Sequence, residues 1–244
     1  MRIAFIFTVA LPLLAAGDST IARMLDTKLT QAQRNDACFA LRGDASPEAV
    51  NAAAKAFRDV KVRSCAEENL RRANAIEPLK AALTDEDADV RASAARVLGT
   101  FERPELAALI AKAGEDSQML VATNAIEGLS YYRDRSAVPY LLKLGKRTGL
   151  VGSLAIEQLI KLKEPQAVDL GHELMKSTDP ADLLSAMRIL GMLGTPEDIP
   201  SLEGVAKRFP EATLSSSGRG FGFMPAISLD HAARTSIEQI RSRK

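Results

Sequence analysis

The chain has 244 residues, of which 46% are hydrophobic and 26% charged, a composition that excludes wholesale disorder and fits a folded soluble protein. Lys and Arg number 32 against 31 Asp and Glu, so the basic excess expected of a nucleic-acid binder is absent. Trp is missing and aromatics reach only 5%, so the apolar content comes from Ala, Leu, Ile and Val, which suits stacked helices better than an aromatic-rich sandwich.

The N-terminus reads Met1-Arg2, then an apolar run from Ile3 to Ala16 broken only by Thr8, closing on Ala15-Ala16-Gly17 before the polar Asp18-Ser19-Thr20. A positive start, a short apolar stretch and small residues at the cut site predict a Sec-type signal peptide over residues 1–17. As helix the run reaches about 21 Å at ~1.5 Å per residue. That falls short of the ~30 Å hydrocarbon core, so no stable membrane span is expected after cleavage. No Cys follows the run, which excludes a lipobox. The expected location is the bacterial periplasm or the medium. Cleavage removes Arg2 and no acid, taking the formal net charge from +1 to zero.

Cys38 and Cys65 are the only cysteines. An even count in an oxidising compartment suggests a disulfide, the alternative being two buried free thiols. The spacing is wrong for a redox Cys-x-x-Cys, and no nearby His suggests metal. A bridge closing this loop would add ~3.5 kcal/mol in the chain-entropy model.

A period of about thirty residues runs through the chain after residue 17. Its anchor is a small residue with an apolar partner four positions on: Ala37 with Leu41, Ala66 with Leu70, Ala94 with Leu98, Ala125 with Leu129, Ala155 with Leu159, Ala186 with Leu190, and Ala233 with Ile237. The anchors are spaced by 29, 28, 31, 30, 31 and 47 residues. Residues four apart share a helix face, so each pair marks a buried stripe, and the Ala lets a neighbouring helix approach closely. Ser46-Pro47, Asp179-Pro180 and Thr195-Pro196 read as a capping side chain followed by proline at the first helical position. Pro104 and Pro165 sit in equivalent turns, while Gly43, Gly99 and Gly194 fall where the anchor helices should stop. Each anchor helix is read as the first of a pair, with an apolar second helix following.

The pattern resembles the HEAT repeat, especially the short phycobilisome-lyase-like form. The resemblance is carried by Asp89-Val90-Arg91 through Gly99, and by Ala186 through Gly194 with Thr195-Pro196-Glu197-Asp198-Ile199-Pro200. It covers most of residues 60–208 and extends more weakly to 20–59 and 229–241. The resemblance implies an all-α fold, a right-handed α-solenoid of about seven HEAT-like helix pairs that serves as a binding scaffold. On this reading residues 18–59 form an N-terminal capping repeat, 60–208 the repeat array, 209–228 an inserted loop and 229–244 a C-terminal capping helix. Cys38 and Cys65 flank equivalent anchors, so a bridge would staple the terminal repeat to its neighbour.

The long interval after Ala186 holds about sixteen extra residues, rich in Ser and Gly and carrying Phe209, Phe221 and Phe223. Insertions of this length are usually functional or disordered, and in solenoids they often sit on the binding face. Either Phe221, Phe223 and Met224 form an apolar contact with Arg219 reading an acidic or carbonyl group, or the aromatics cap the end of the stack. The Gly-x-Gly-x-Gly run lacks the Lys-Ser/Thr and strand of a phosphate loop.

Catalytic arrangements are not visible. The two histidines, His172 and His231, fall in different repeats. Some HEAT-type di-iron hydroxylases bind metal through recurring His-Glu pairs, but His172-Glu173 stands alone here, and neither that activity nor bilin-lyase chemistry is expected. The acidic run Thr84 to Asp89 reads as helix capping, and it lacks the Gly and final Glu of a calcium loop. Glu67-Glu68 with Arg71-Arg72 reads as an ion-paired face, Tyr131-Tyr132 as packing between repeats, and Met187 and Met192 as core. No cofactor and no metal site is expected. The chain is therefore read as a non-enzymatic, monomeric periplasmic scaffold for a protein or peptide, with a groove lined by Tyr140, Lys143, Arg147, His172 and Lys176 on the second helices. The alternative is an enzyme or small-ligand binder using a pocket under the 209–228 insertion.

Overall fold

A computed structural model describes residues 14–209, 213–214 and 227–243. Fourteen α-helices follow in chain order: α1 (Leu14–Leu25), α2 (Gln31–Ala40), α3 (Pro47–Ala56), α4 (Arg63–Arg72), α5 (Ile76–Ala82), α6 (Ala88–Gly99), α7 (Pro104–Ala113), α8 (Met119–Ser130), α9 (Val138–Gly145), α10 (Leu150–Lys161), α11 (Gln166–Leu174), α12 (Pro180–Leu193), α13 (Ile199–Arg208) and α14 (Leu229–Ser242). Between α13 and α14 lies a two-residue antiparallel ladder, β1 (Thr213–Leu214) with β2 (Ile227–Ser228), pairing Thr213 with Ser228 and Leu214 with Ile227. The fold is all-α helical repeat, with that ladder as its one extended element among the described residues.

The chain divides into two compact units, one ending at Val90 and the other starting at Arg91. In the first, α1 packs on α2 and α3, α2 on α4, and α3 on α4 and α5. In the second, α7, α9, α11 and α13 form one layer, and α8, α10, α12 and α14 form the other. The repeat anchors all fall on even-numbered helices, and all seven are buried together with their apolar partners. Helix pairing corrects the expected phase. Apart from α6, which spans the boundary between the units, each anchor helix packs more extensively on the odd-numbered helix before it than on the one after it. The anchor helix is thus the second of its pair.

Turn chemistry explains most boundaries. Ser46 caps α3 by accepting from Ala49 N at 3.3 Å, and Asp179 caps α12 by accepting from Ala181 N at 2.8 Å. Thr195 instead opens a 3-10 turn at Pro196–Asp198, where Asp198 accepts from Thr195 N at 2.7 Å. Gly99 is the last residue of α6, as expected of a stop position, and an added Cβ there would meet the Gly128 carbonyl oxygen at 2.1 Å, so it also serves close backbone approach to α8. The left-handed residue of that turn is Glu102, at φ 50°.

Three anchors carry an arginine three residues upstream, and each reaches an aspartate in the turn before the next even helix. Arg34 pairs with Asp59 at 2.7 Å and donates through Nε to Met24 O. Arg63 pairs with Asp87 at 3.2 Å and donates to Phe57 O. Arg91 pairs with Asp116 through both carboxylate oxygens, at 2.9 and 3.3 Å. The series stops there, because Ala122, Gly152 and Leu183 occupy the next equivalent positions. At Gly152 even a Cβ would meet Arg147 O at 1.7 Å, so the turn itself fills the arginine's place.

Cys38 and Cys65 form a disulfide joining α2 to α4, with Cα atoms 6.2 Å apart. Asn69, one turn beyond Cys65, donates to Cys38 O at 2.9 Å and strengthens the same seam. The acidic run before α6 is held by arginines, with Arg58 on Asp85 and Arg63 on Asp87. Glu68 takes both Arg71 and Arg72. Met187 is buried, but Met192 is 45% exposed, because it projects from α12 away from the stripe that holds Ala186 and Leu190.

Tyr132 is buried between repeats and donates to Arg103 O at 2.9 Å, tying the end of α8 to the start of α7. Burial, and then the nearby Asp134, Glu105 and Glu102, push its phenol up to about 12. The folded state therefore holds that proton where the unfolded chain releases it. Its contribution is complete below the ordinary tyrosine value and is lost as pH climbs toward about 12. Tyr132→Phe should cost about 0.5–1.5 kcal/mol at neutral pH and remove this part of the alkaline decline, as read by urea unfolding at stepped pH. The hydrogen bonds from Arg91 hold the Asp116 carboxyl below the usual range, so that pair stabilises above the carboxylate range and fades in acid. Arg91→Met should cost about 1.5–3 kcal/mol at neutral pH and flatten the acid limb of the same measurement.

Candidate functional site

In the second unit the even-numbered helices present a continuous outer face. Residues two before and two after each anchor lie one turn apart on that face: Thr123 and Glu127, Ser153 and Glu157, Leu184 and Arg188, His231 and Thr235. A groove of about 510 Å³ runs across α10, α12 and α14. Its floor is apolar, from Ile156, Leu184 and Met187, and its rim is neutral and polar, from Ser153, Ser185, Thr235 and Gln239. Arg188 sits on the rim and is paired with Glu157 of α10.

Small residues set the groove's width. Gly191 brings α12 against α14 so closely that an added Cβ would lie 2.5 Å from Gln239 Oε1 and 2.9 Å from Ser236. Ser236 is buried and donates to Met187 O at 2.8 Å, while Arg243 donates to Gly191 O and Gly194 O. These contacts fix α14 against α12 at their C-terminal halves. A core of Leu183, Met187, Leu190, Leu202, Val205, Leu229, Ala233, Ile237 and Ile240 supports them from below. A smaller recess of about 290 Å³ continues the face between α8 and α10, lined by Thr123, Asn124, Glu127, Leu154 and Gln158. At the N-terminal ends of the same two helices, Leu120 and Leu150 are 47% and 49% exposed. They occupy equivalent repeat positions five residues before Ala125 and Ala155, so two apolar side chains edge this face.

The residues expected to line a groove lie instead on the odd layer, and they separate. Tyr140 is half-buried on α9. Lys143 pairs with Glu115 at 2.6 Å, a bond that holds the Glu115 carboxyl below its usual range. Arg147 donates to Gly114 O. These cations tie α9 and its following turn to the turn before α8. His172 and Lys176, by contrast, lie together beside α13. His172 and Glu173 diverge, His172 Nε2 bonding Asp198 at 2.6 Å and Glu173 pairing with Lys146 at 2.7 Å. Arg219, Phe221, Phe223 and Met224 lie outside the described residues, as does any pocket beneath them. Sequence reasoning missed Ser153, Leu184, Ser185, Arg188, His231, Thr235 and Gln239, although counting two residues either side of each anchor finds much of the face.

Residues 76–149 match the family model for HEAT repeats. No curated protein matches the chain. Among solved structures, human deoxyhypusine hydroxylase in complex with glycerol is 17% identical, with a TM-score of 0.40, covering 94% of this chain and 97% of that one. The CpcE–CpcF complex of phycocyanin lyase from Nostoc is 16% identical at a TM-score of 0.44, covering 98% and 100%. A designed armadillo repeat protein in complex with the peptide (KR)4 is 16% identical at a TM-score of 0.40, covering 91% and 98%. Repeat period and buried anchors make this chain a helical-repeat protein, of which residues 76–149 match the HEAT-repeat model.

Proposed function

We propose that this chain is an exported, non-catalytic and monomeric scaffold that holds a protein or peptide partner along the even-helix face from α8 to α14. The groove across α10, α12 and α14 carries this reading. Its apolar floor suits side chains of an extended or helical segment, and its hydroxyl and amide rim offers donors and acceptors to main-chain groups. The one strong charge on the rim, Arg188, is already matched by Glu157, so the surface favours a weakly charged partner segment. Export is supported by the positive start, the apolar run and the small residues before Asp18, and by the disulfide between α2 and α4.

Two experiments test these parts separately. A photo-crosslinking side chain at Ser185 in the full chain, expressed with export in a Gram-negative host, should give a discrete adduct. The same group at Lys143 should give none, and Leu184→Glu should abolish the Ser185 adduct. Equal labelling from both faces overturns the groove. Intact-mass analysis of the exported protein should show a chain beginning at Asp18 and lighter by the two thiol hydrogens of Cys38 and Cys65. A chain retaining Met1, or carrying two free thiols, overturns the export reading.

A further inference from the structure

The odd layer carries a second recess, between α11 and α13, with a volume of about 490 Å³. Three of its lining side chains are basic, His172, Lys176 and Arg208, and none of those described is acidic. On a layer where Lys143 is matched by Glu115, Lys146 by Glu173 and His172 by Asp198, Lys176 and Arg208 have no acidic partner among the described residues. His172 is fixed from behind. Its Nε2 bonds the buried Asp198 at 2.6 Å, and the other oxygen of Asp198 is held by Thr195 N at 2.7 Å. Lys176 follows one helical turn later and has no ion-pair partner among the described residues. Arg208 is held over the Phe209 ring at 4.6 Å and donates to Ser177 O at 3.4 Å, which sets its guanidinium beside the end of α11.

The rest of the recess is not built for a bare ion. The half-buried Met175 supplies apolar surface, and at Gly204 an added Cβ would meet nothing within 4 Å. The volume is several times what a lone oxyanion fills, so the occupant has an anionic head and an apolar body. A guanidinium fork accepts a planar carboxylate through two parallel hydrogen bonds, and a lysine ammonium adds a point charge beside it. We propose that this recess captures the C-terminal carboxylate of a peptide, with the terminal apolar side chain against Met175 and over the open Gly204. The site faces away from the even-helix groove and stands whether or not that groove is used.

The test uses the full chain and a fluorescent hexapeptide ending in Ala-Leu, made once with a free carboxylate and once as the amide. The free acid should bind at least tenfold more tightly by anisotropy, weaken with added salt, and shift the His172 ring signals in NMR. Lys176→Gln and Arg208→Gln should each lose tenfold or more while retaining the helical circular dichroism of the parent. Lys207→Gln, on the same helix but outside the recess, should leave affinity unchanged, as should the groove variant Leu184→Glu. Equal affinity for acid and amide overturns the proposal. So does binding of inorganic phosphate without the peptide, or a loss at Lys207→Gln as large as at its neighbour.

Discussion

Close approach between successive even-numbered helices is the constraint on which each unit depends. An alanine at each anchor leaves room for the neighbouring helix, and the Leu or Ile four residues on fills the space beside it. Where two backbones come closer still, glycine is required, as at Gly99 against Gly128 and Gly191 against Ser236. Because the anchors bury the same stripe in every repeat, the residues two positions either side are delivered to one outer face. The groove across α10, α12 and α14 is thus a consequence of how tightly those helices stack.

The two ends of the chain secure this stacking differently. The first three anchor helices use an arginine that reaches forward to an aspartate in the next turn, and α2 and α4 add a disulfide. Further along, the arginine position is taken by Ala122, Gly152 and Leu183, and at Gly152 the preceding turn sits directly on the helix. The last helix is held instead by the core around Leu190 and Ile237 and by Arg243 on the carbonyls of Gly191 and Gly194.

The two layers of the second unit also differ in chemistry. Long cations on the odd layer are consumed in joining one pair to the next, as Lys143 to Glu115 and Lys146 to Glu173. Such pairs are solvent-exposed and contribute little energy, yet they cover the layer with matched charge. The even face mixes neutral polar and apolar groups with the Arg188–Glu157 pair. In the recess beside His172, Lys176 and Arg208 depart from this pattern, and that departure makes it a candidate for an anionic ligand.

The amino-acid sequence alone determined the repeat period, the buried anchors and the all-helical class, because each depends on residues a fixed number of positions apart. Ala94 and Leu98, or Ala155 and Leu159, share a face by helix geometry whatever surrounds them. Which helix precedes its partner in a pair was not legible, since a thirty-residue period reads equally well from either helix. The expected groove residues Tyr140, Lys143 and Arg147 belong to α9 and its following turn, whereas the even helices present Ser185, Arg188 and Thr235. The partners of single charged residues were also undecided in sequence. His172 and Glu173 are adjacent in the chain, but on a helix neighbours point about 100° apart. Only tertiary packing could send one to Asp198 and the other to Lys146.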